Sequence, residues 1–219
     1  MAFQADMRKK PADKGLLVVF EGIDGSGKST QAASLARRLK RRGYVVVSLR
    51  EPSRGPWGRL IKRLARDPDS LTAGEELALF IRDRMDNVAR NILPALRRGG
   101  VVILDRYYYS TMAYQGARGI SPERIRRLNE RFAPRPDAVF ILDIEPAAGL
   151  ARIAGRRIRD ELFEQEPYLV RVARIFRGFR GRHIVHLDGR REKRELSREV
   201  AERTDRLLAR KRVSFRRPR

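Results

Sequence analysis

The segment Gly22–Ser29 reads Gly-Ile-Asp-Gly-Ser-Gly-Lys-Ser and fits the phosphate-binding pattern G-x-x-x-x-G-K-[ST]. It follows a short apolar run, Leu16–Phe20, and precedes a helical pattern that begins near Lys28, which is the context that the pattern requires. Its glycines allow backbone N–H groups to turn towards phosphate oxygens, and the N-terminus of the following helix adds positive potential. The segment therefore predicts a strand, a tight phosphate loop and a helix in succession.

Four further apolar runs have the length of a strand: Val45–Leu49, Val101–Leu104, Ala138–Leu142 and Ile184–Leu187. Most are rich in Val and Ile, which is typical of parallel strands buried on both faces. Longer helical patterns separate them. This alternation predicts an α/β domain with a five-stranded parallel sheet flanked by helices.

Helical patterns cover about residues 28–42, 57–66, 75–98, 146–156, 164–180 and 192–210. A further helix is expected to begin at Ser121-Pro122-Glu123, where an N-cap, a proline and an acid follow one another. Pro94 predicts a bend within the longest pattern. We expect one domain over residues 15–211, with tails at residues 1–14 and 212–219.

The composition narrows the function classes. The chain has no cysteine, which excludes disulfides, thiolate metal sites and cysteine nucleophiles. No segment approaches the ~20 apolar residues that span a bilayer. The apolar run after the polar N-terminus is shorter than the roughly 7–15 residues of a signal-peptide core. We therefore expect a cytoplasmic protein with no membrane partner.

The charge of the chain raises the question of nucleic acid. Its 219 residues include 50 basic and 27 acidic ones, a formal charge of +23. The arginines are spread over most helical patterns, so nucleic-acid binding is not expected as the main function. The C-terminal residues 206–219 contain seven basic residues and no acid. That tail is either solvated or makes weak contact with a polyanion such as nucleic acid.

Several side chains near the phosphate loop suggest chemistry. Lys28 is placed to reach the β- and γ-phosphates of ATP, and the hydroxyl of Ser29 to hold Mg²⁺. Asp24 is either a solvated turn residue or directed away from ATP, towards an acceptor hydroxyl. Asp105 and Arg106 follow the third apolar run, where the strand end lies beside the loop. Asp105 suits Mg²⁺ and Arg106 a phosphate, unless the two only pair with each other.

Beyond the phosphate loop, the sequence resembles the thymidylate kinase family from about Leu16 to Leu208. The matching stretches are Phe20–Gln31, Arg50-Glu51-Pro52, Phe80-x-x-x-Arg84, Ile92–Leu96, Val102–Tyr107, Ser110-Thr111-x-Ala113-Tyr114-Gln115-Gly116 and Phe140–Ile144. The resemblance implies a three-layer P-loop kinase fold with a small lid. It also implies transfer of the γ-phosphate of ATP to dTMP, giving dTDP for dTTP biosynthesis, with Mg²⁺ as cofactor. It suggests a homodimer built on helix faces such as that of residues 75–98.

The resemblance also implies roles for individual residues. ATP would be bound by Gly22, Ile23, Asp24, Gly25, Ser26, Gly27, Lys28, Ser29, Thr30 and Arg152, the last packing on adenine. The acceptor would be bound by Asp24, Arg50, Glu51, Phe80, Arg84, Arg106, Ser110, Thr111, Tyr114 and Gln115. Within this set Asp24 would meet the sugar 3′-hydroxyl, Phe80 would stack on thymine and Arg84 would hydrogen-bond the base. Arg106, with Arg50, would hold the acceptor phosphate, and Ser29 and Asp105 the metal.

Charge neutralisation is the expected catalytic task. A phosphate monoester is ionised at neutral pH, so no strong general base is needed. The phosphate loop contains no arginine, and related kinases of that kind supply one from the lid. The lid is expected at about residues 155–164. The expected catalytic residues are Lys28, Arg106, Arg156, Arg157 and Arg159.

Two stretches depart from the family pattern and keep alternatives open. Arg50-Glu51-Pro52 is followed by Ser53–Gly58 (SRGPWG) instead of Gly-Gly-Thr, and the lid lacks an arginine that Arg159 would replace. Trp57 would be a ligand contact or, as we favour, an anchor for the short helix. Glu-Pro followed by Trp also resembles the deoxynucleoside kinases, in which Glu51 would act as a base. The alternatives are therefore a deoxynucleoside kinase or a kinase of another nucleoside monophosphate.

Overall fold

The computed structural model of the chain describes residues 15–65, 71–153 and 159–213, without the side chains of residues 159–165. Within these residues one parallel sheet contains β1 (Leu16–Glu21), β2 (Val46–Arg50), β3 (Val101–Asp105), β4 (Ala138–Asp143) and β5 (Ile184–Asp188). The strand order is β2-β3-β1-β4-β5. The carboxyl ends of all these strands therefore lie along one edge, where α/β proteins bind their ligands.

The described residues also form helices that connect the strands. They are α1 (Lys28–Arg41), α2 (Pro56–Leu64), α3 (Ala73–Asn87), α4 (Leu93–Arg97), α5 (Tyr108–Ala117), α6 (Pro122–Glu130), α7 (Pro146–Ile153), α8 (Arg159–Gly178) and α9 (Lys193–Lys211). None of the helices in this part of the chain has the length and apolar character needed to cross a membrane.

Alternate residues of β1 divide the core into two layers. Val18 belongs to a cluster with Leu35 of α1 and Val200 of α9. Val19, which points to the other face, belongs to a cluster that includes Met112 of α5 and Val172 of α8. Helices therefore cover both faces of the sheet, and the predicted three-layer α/β fold with five parallel strands is confirmed.

The prediction of one continuous helix over residues 75–98 is wrong, because a π-helical segment divides this stretch. Helix α3 ends at Asn87, a π-helical segment (Val88–Ile92) follows, and α4 begins at Leu93. Pro94 has no N–H to donate to the carbonyl four residues earlier, and its ring crowds that carbonyl. The backbone therefore widens into a π-helical turn before the proline.

Helix α5 was missing from the sequence-based prediction. Most of its residues are buried, so apolar and polar side chains do not separate onto two faces. The N-cap residue, Tyr107, makes no capping hydrogen bond with its side chain. Instead the carboxylate of Glu21, on β1, accepts hydrogen bonds from the backbone N–H groups of Tyr107 and Ser110. Its first turn is thus stabilised from a distant strand.

The remaining boundaries differ by a few residues. The predicted start of α6 is confirmed, because the Ser121 hydroxyl accepts from the backbone N–H of Arg124 and Pro122 is the first helical residue. Helix α8 begins at Arg159, earlier than expected. Residues 159–164 of the expected lid therefore belong to α8, and residues 154–158 lie outside the described residues.

Candidate active site

The phosphate loop connects β1 to α1 at the carboxyl edge of the sheet. Gly22, Gly25 and Gly27 have φ angles of 134°, 78° and 94°, which L side chains rarely adopt. A Cβ added at Gly25 would lie 2.2 Å from the carbonyl oxygen of Gly149 in α7. The hydroxyl of Ser26 is buried and has no hydrogen-bond partner among the described residues. The loop conformation thus requires glycine and leaves a buried polar group for a ligand.

Asp24 links the phosphate loop to the strand end of β3. Its Oδ1 accepts from Lys28 Nζ at 3.2 Å and from Arg106 Nη2 at 2.7 Å. Lys28 also donates to the carbonyl of Ile23, whose side chain is part of the core. Although the Asp24 side chain is 54% exposed, it is paired with two buried cations and is more than a solvated turn residue.

Lys28 and Arg106 keep Asp24 ionised. Burial alone would raise the pKa of Asp24, but Arg106 and Lys28 outweigh burial and lower that pKa to about 2. Burial and the positive charge of Arg106 lower the pKa of Lys28, while Asp24 and Asp105 oppose the shift. Asp24 is therefore ionised at neutral pH and offsets the charge of both cations.

The guanidinium of Arg106 is held on several sides. Nη1 donates to Ser110 Oγ at 3.0 Å and to the carbonyl of Gly22 at 3.4 Å. Nη2 lies 3.4 Å from the Tyr114 hydroxyl, and the guanidinium carbon lies 5.2 Å from the centre of that ring. The side chain is therefore oriented towards the phosphate loop by contacts within the protein.

Ser29 and Asp105 form the expected metal pair. The Ser29 hydroxyl donates to Asp105 Oδ2 at 2.6 Å, and Arg50 Nε lies 3.7 Å from the same oxygen. Asp105 Oδ1 is buried without a hydrogen-bond partner among the described residues. Hydroxyl and carboxylate oxygens suit Mg²⁺, which completes its shell with phosphate and water oxygens. Asp105 and Arg106 have different partners, so the alternative that they only pair with each other is wrong.

A cavity of about 780 Å³ opens beside this pair. Its lining includes Ser29, Arg50 and Asp105, together with Ala36 of α1 and Asn87 of α3. Asp105, whose Oδ1 has no hydrogen-bond partner among the described residues, is therefore accessible to a ligand from this cavity.

Glu51 and Arg84 form a buried ion pair between β2 and α3. Arg84 Nε donates to Glu51 Oε2 at 2.7 Å, and Asn87 Nδ2 donates to Oε1 at 3.2 Å. Arg84 also donates to Asn129 at 2.6 Å and to Thr111 at 3.0 Å. Burial raises the pKa of Glu51 although Arg84 opposes it. Both carboxylate oxygens are occupied, which disfavours Glu51 as a free general base.

The residues predicted on α5 lie between the two arginines. Ser110 and Tyr114 contact Arg106, whereas Thr111 contacts Arg84. Gln115 donates to Glu76 of α3 at 2.7 Å, and its own carbonyl oxygen is buried without a partner among the described residues. The structure thus brings together the set that sequence reasoning assigned to the acceptor.

Phe80 and Trp57 occupy intermediate positions. Phe80 is half-buried, and among the described residues it is placed in neither core cluster. Arg82 of α3 stacks over the Trp57 ring at 4.9 Å. This contact supports the anchor interpretation of Trp57.

The loop that departs from the family pattern is firmly held. Asp83, buried in α3, accepts from the backbone N–H of Ser53 at 2.7 Å and from its hydroxyl at 2.5 Å. The Ser53 hydroxyl accepts in turn from the N–H of Gly55. A Cβ added at Gly58 would lie 2.2 Å from the Ser53 carbonyl oxygen. The loop therefore has a defined conformation next to the acceptor residues.

The remaining ATP and lid residues are placed as follows. Arg152 of α7 donates to the carbonyls of Gly25 and Gly189 at 3.3 and 3.1 Å, so it lies beside the phosphate loop. Thr30 is exposed in the first turn of α1. The predicted lid residues Arg156 and Arg157 lie outside the described residues. Arg159 is the first residue of α8, and its side chain is not among those described.

Sequence reasoning missed the residues that support this site. They are Glu21, Glu76, Asp83, Asn129 and Gly149. Glu21 alone carried a usable signal, because it is an acid at the end of a buried strand, as Asp105 is. The others carry no local pattern and become visible only through their contacts.

The phosphate loop suits the phosphates of a donor, and the pocket at Arg106 suits a second anion. Asp24 joins the two, because it pairs with both Lys28 and Arg106. This arrangement suits phosphoryl transfer between two phosphorylated substrates. The fold that carries them, a parallel sheet with the phosphate loop after its central strand, is that of the P-loop nucleotide kinases.

Comparison with known proteins narrows this class. A family model described as thymidylate kinase matches residues 20–200. A thymidylate kinase of Akkermansia muciniphila is 47% identical, over 85% of this chain and 90% of its own. One from Xanthomonas oryzae pv. oryzae is 46% identical, over 78% and 75%. A probable thymidylate kinase of Archaeoglobus fulgidus is 42% identical, over 84% and 92%. The chain belongs to the thymidylate kinase family, and the predicted resemblance is confirmed.

Proposed function

We propose that this chain transfers the γ-phosphate of ATP to dTMP and releases dTDP and ADP, a step that feeds dTTP biosynthesis. The observation that carries the proposal is the ion pair between Arg106 and Asp24. It joins a buried cation suited to an acceptor phosphate with the loop suited to the phosphates of the donor. Membership of the thymidylate kinase family supports the same activity.

The reaction needs alignment more than acid–base chemistry. An oxygen of the dTMP phosphate attacks the γ-phosphorus, and the bond from that phosphorus to the β–γ bridging oxygen breaks. The second pKa of a phosphate monoester is about 6, so the attacking oxygen is already ionised at neutral pH. No side chain has to remove a proton. The occupied carboxylate of Glu51, which a deoxynucleoside kinase would need as a base, agrees with this reaction.

The cations of the site meet the charge of the two substrates. Lys28 leaves Asp24 to bind the β- and γ-phosphates, while Arg106, with Arg50, binds the phosphate of dTMP. Ser29 and Asp105 would hold Mg²⁺, since their side chains lie together and Asp105 Oδ1 has no hydrogen-bond partner among the described residues. When bound there, the ion would supply positive charge that offsets the charge of the donor phosphates.

The lid supplies the remaining positive charge. The phosphate loop has no arginine, whereas the lid sequence contains Arg156, Arg157 and Arg159. An arginine that meets the transferring phosphoryl group contributes on the order of 10³-fold or more to turnover in related reactions. Alanine substitution at each of the three positions is expected to identify one with a kcat loss of that size.

The base pocket is formed by α3 and α5. Arg84 makes three hydrogen bonds within the protein. A guanidinium has five N–H donors, so two remain for a carbonyl of thymine. Phe80, one helical turn earlier, stacks on the same base. Asp24 faces the sugar 3′-hydroxyl, and Ser110, Thr111, Tyr114 and Gln115 line the pocket.

A coupled ADP-release assay tests the proposal directly. The assay compares dTMP, dUMP, CMP, UMP and thymidine as acceptors at saturating ATP and Mg²⁺. We expect turnover to be fastest with dTMP. Turnover on thymidine without turnover on dTMP would overturn the proposal in favour of a deoxynucleoside kinase, and a preference for CMP or UMP would reassign the acceptor.

Three further expectations stay predictions. They are a homodimer formed through faces such as that of α3, a cytoplasmic location, and a C-terminal tail that is solvated or weakly bound to a polyanion. Residues 214–219 of that tail lie outside the described residues. Binding to duplex DNA, measured with and without residues 211–219 at increasing salt, decides between the two roles of the tail.

A further inference from the structure

We infer that Glu21 is a positioning residue for the acceptor phosphate. Its carboxylate fixes the first turn of α5 and, through the Ser110 hydroxyl, orients the guanidinium of Arg106. The inference rests on the proposed function, because it takes Arg106 as the residue that binds the phosphate of dTMP.

The hydrogen bonds form a continuous path. Glu21 Oε1 accepts from the backbone N–H of Tyr107 at 2.7 Å and from that of Ser110 at 3.2 Å. Glu21 Oε2 accepts from the Ser110 hydroxyl at 2.5 Å. The same hydroxyl accepts from Arg106 Nη1 at 3.0 Å. One carboxylate therefore holds both the helix that lines the pocket and the cation that faces it.

Arg106 needs such support because of its backbone. Its φ angle is 73°, in the left-handed region that residues other than glycine rarely adopt. Conformations of this kind persist where surrounding contacts determine them. The backbone N–H of Arg106 donates to the carbonyl of Phe20 at 2.9 Å, and the next N–H donates to Glu21. The end of β1 thus holds the strained turn on which Arg106 sits.

The two terminal nitrogens of the Arg106 guanidinium are held by different carboxylates, those of Asp24 and Glu21. Asp24 accepts from Nη2 directly, and Glu21 controls Nη1 through Ser110. Asp24 is half-exposed and within reach of a substrate, whereas Glu21 is fully buried. Glu21 therefore acts through other residues and does not touch the substrate itself.

The charge of Glu21 suits this role. Burial raises its pKa to about 7, although the Ser110 hydroxyl, Arg106 and the two backbone N–H groups favour the ionised form. Burial alone would lower the pKa of Arg106, but Tyr114, Asp24 and Glu21 raise it above its usual value. Arg106 therefore stays charged beside Glu21, and its charge in turn favours the ionised form of the carboxyl group.

Substrate affinities separate this role from a purely structural one. Glu21→Gln keeps the shape of the side chain but replaces an acceptor oxygen with a donor, so one of its bonds is lost. Calorimetric titration of the full chain with dTMP and with thymidine, which lacks the phosphate, measures the contribution of the phosphate site. We expect an about tenfold weaker affinity for dTMP and less than about twofold change for thymidine, as for one hydrogen bond to a charged group.

Two further variants complete the test. Ser110→Ala removes only the hydroxyl that joins Glu21 to Arg106 and leaves the backbone bonds, so the same preferential loss of dTMP affinity is expected even if Glu21→Gln does not fold. Glu199→Gln, at a carboxylate on α9 that pairs with Arg191 and Arg203, serves as the matched control and should leave both affinities unchanged.

The outcomes are distinguishable. Equal weakening of dTMP and thymidine, or no change in either, in both Glu21→Gln and Ser110→Ala would overturn the inference and leave the proposed function intact. A wild-type chain that binds no dTMP would overturn the proposed function and the inference with it.

Discussion

The functional side chains are held by other side chains, not only by their own backbone. Arg84 is 1% exposed and is fixed by Glu51, Asn129 and Thr111, which come from β2, α6 and α5 and their flanking residues. The guanidinium is therefore fixed by contacts within the protein. Such preorganisation lowers the conformational entropy that a ligand must restrict on binding.

At Asp105, removal of one negative charge should weaken the metal site. In Asp105→Asn the amide keeps one oxygen near Ser29 but no longer attracts a dication strongly. We expect the Mg²⁺ concentration for half-maximal activity to rise by about tenfold or more. The control is Asp205→Asn, since Asp205 lies on α9, away from the cavity beside Asp105, and pairs with Arg38 of α1 at 2.9 Å. An unchanged Mg²⁺ requirement would contradict the assignment.

Glu21 should make folding stability depend on pH. In the folded chain the pKa of Glu21 is raised to about 7, whereas the pKa of a glutamate in the unfolded chain is about 4.5. The folded state therefore binds more protons between these values, and the stability contributed by the protonated group is lost as pH rises towards 7. Arg106 stays charged over this range, and Tyr109 and Tyr114, whose pKa values burial raises, stay neutral.

Thermal unfolding of the wild-type chain and Glu21→Gln at pH 5 to 8 measures this effect. The variant cannot ionise, so the wild-type chain should lose stability relative to it as pH rises, by up to about 3 kcal/mol. A difference in Tm that stays constant with pH would show that Glu21 does not titrate as its burial implies.

At the scale of elements, prediction succeeded where the signal was local. The strands and the loop after β1 have their own apolar runs and glycine pattern. Helix α5 has neither an amphipathic face nor a local cap, because Glu21 caps it from β1. The π-helical segment arises from Pro94 but begins six residues before it. Contacts between elements decide both cases, and a sequence pattern does not contain them.

The same distinction applies to the site. The strand-end acid Asp105 and the glycines of the phosphate loop follow from spacing, and the acceptor residues follow from family resemblance. The bond between Asp83 and Ser53, which shapes the loop that departs from the family pattern, follows from neither. It requires α3 to lie beside that loop, which is a property of the folded chain.

Helix α7 should tolerate no side chain at Gly149. A Cβ there would lie 2.6 Å from the carbonyl oxygen of Asp24, so Gly149→Ala must push α7 away from the phosphate loop. Overpacking of this kind costs about 1–3 kcal/mol. Because Arg152 is on the same helix, we expect KM for ATP to rise by up to about tenfold and KM for dTMP to change less. Ala147→Ser, on the exposed side of α7, is the control, and equal KM values in both variants would contradict the prediction.

At the scale of the molecule, α3 combines two roles. One face carries Arg84, which is proposed to contact the acceptor base, while Met85, the next residue, is 50% exposed. An apolar side chain in that position is suited to a helix–helix contact between two copies of the chain. The homodimer suggested by the family resemblance is therefore tested on the outer side of α3, at Met85.

Light scattering after size-exclusion chromatography tests the homodimer. We expect a mass of twice the 25.3 kDa chain for the wild type. Met85→Glu, which places a charge on the proposed surface, should shift the mass towards one chain, whereas Val45→Glu, at an exposed residue just before β2, should not. A wild-type chain that elutes with the mass of one copy would exclude the dimer at the concentration used.

Asp24 accepts from both Lys28 and Arg106, so one carboxylate is shared by the cations meant for two different substrates. A phosphate that draws one cation away changes how strongly Asp24 holds the other. The two binding equilibria are then linked, and thermodynamic reciprocity requires each substrate to alter the affinity of the other by the same factor. Because both cations pair with Asp24, we expect the binding of ATP and the binding of dTMP to be coupled through this one carboxylate.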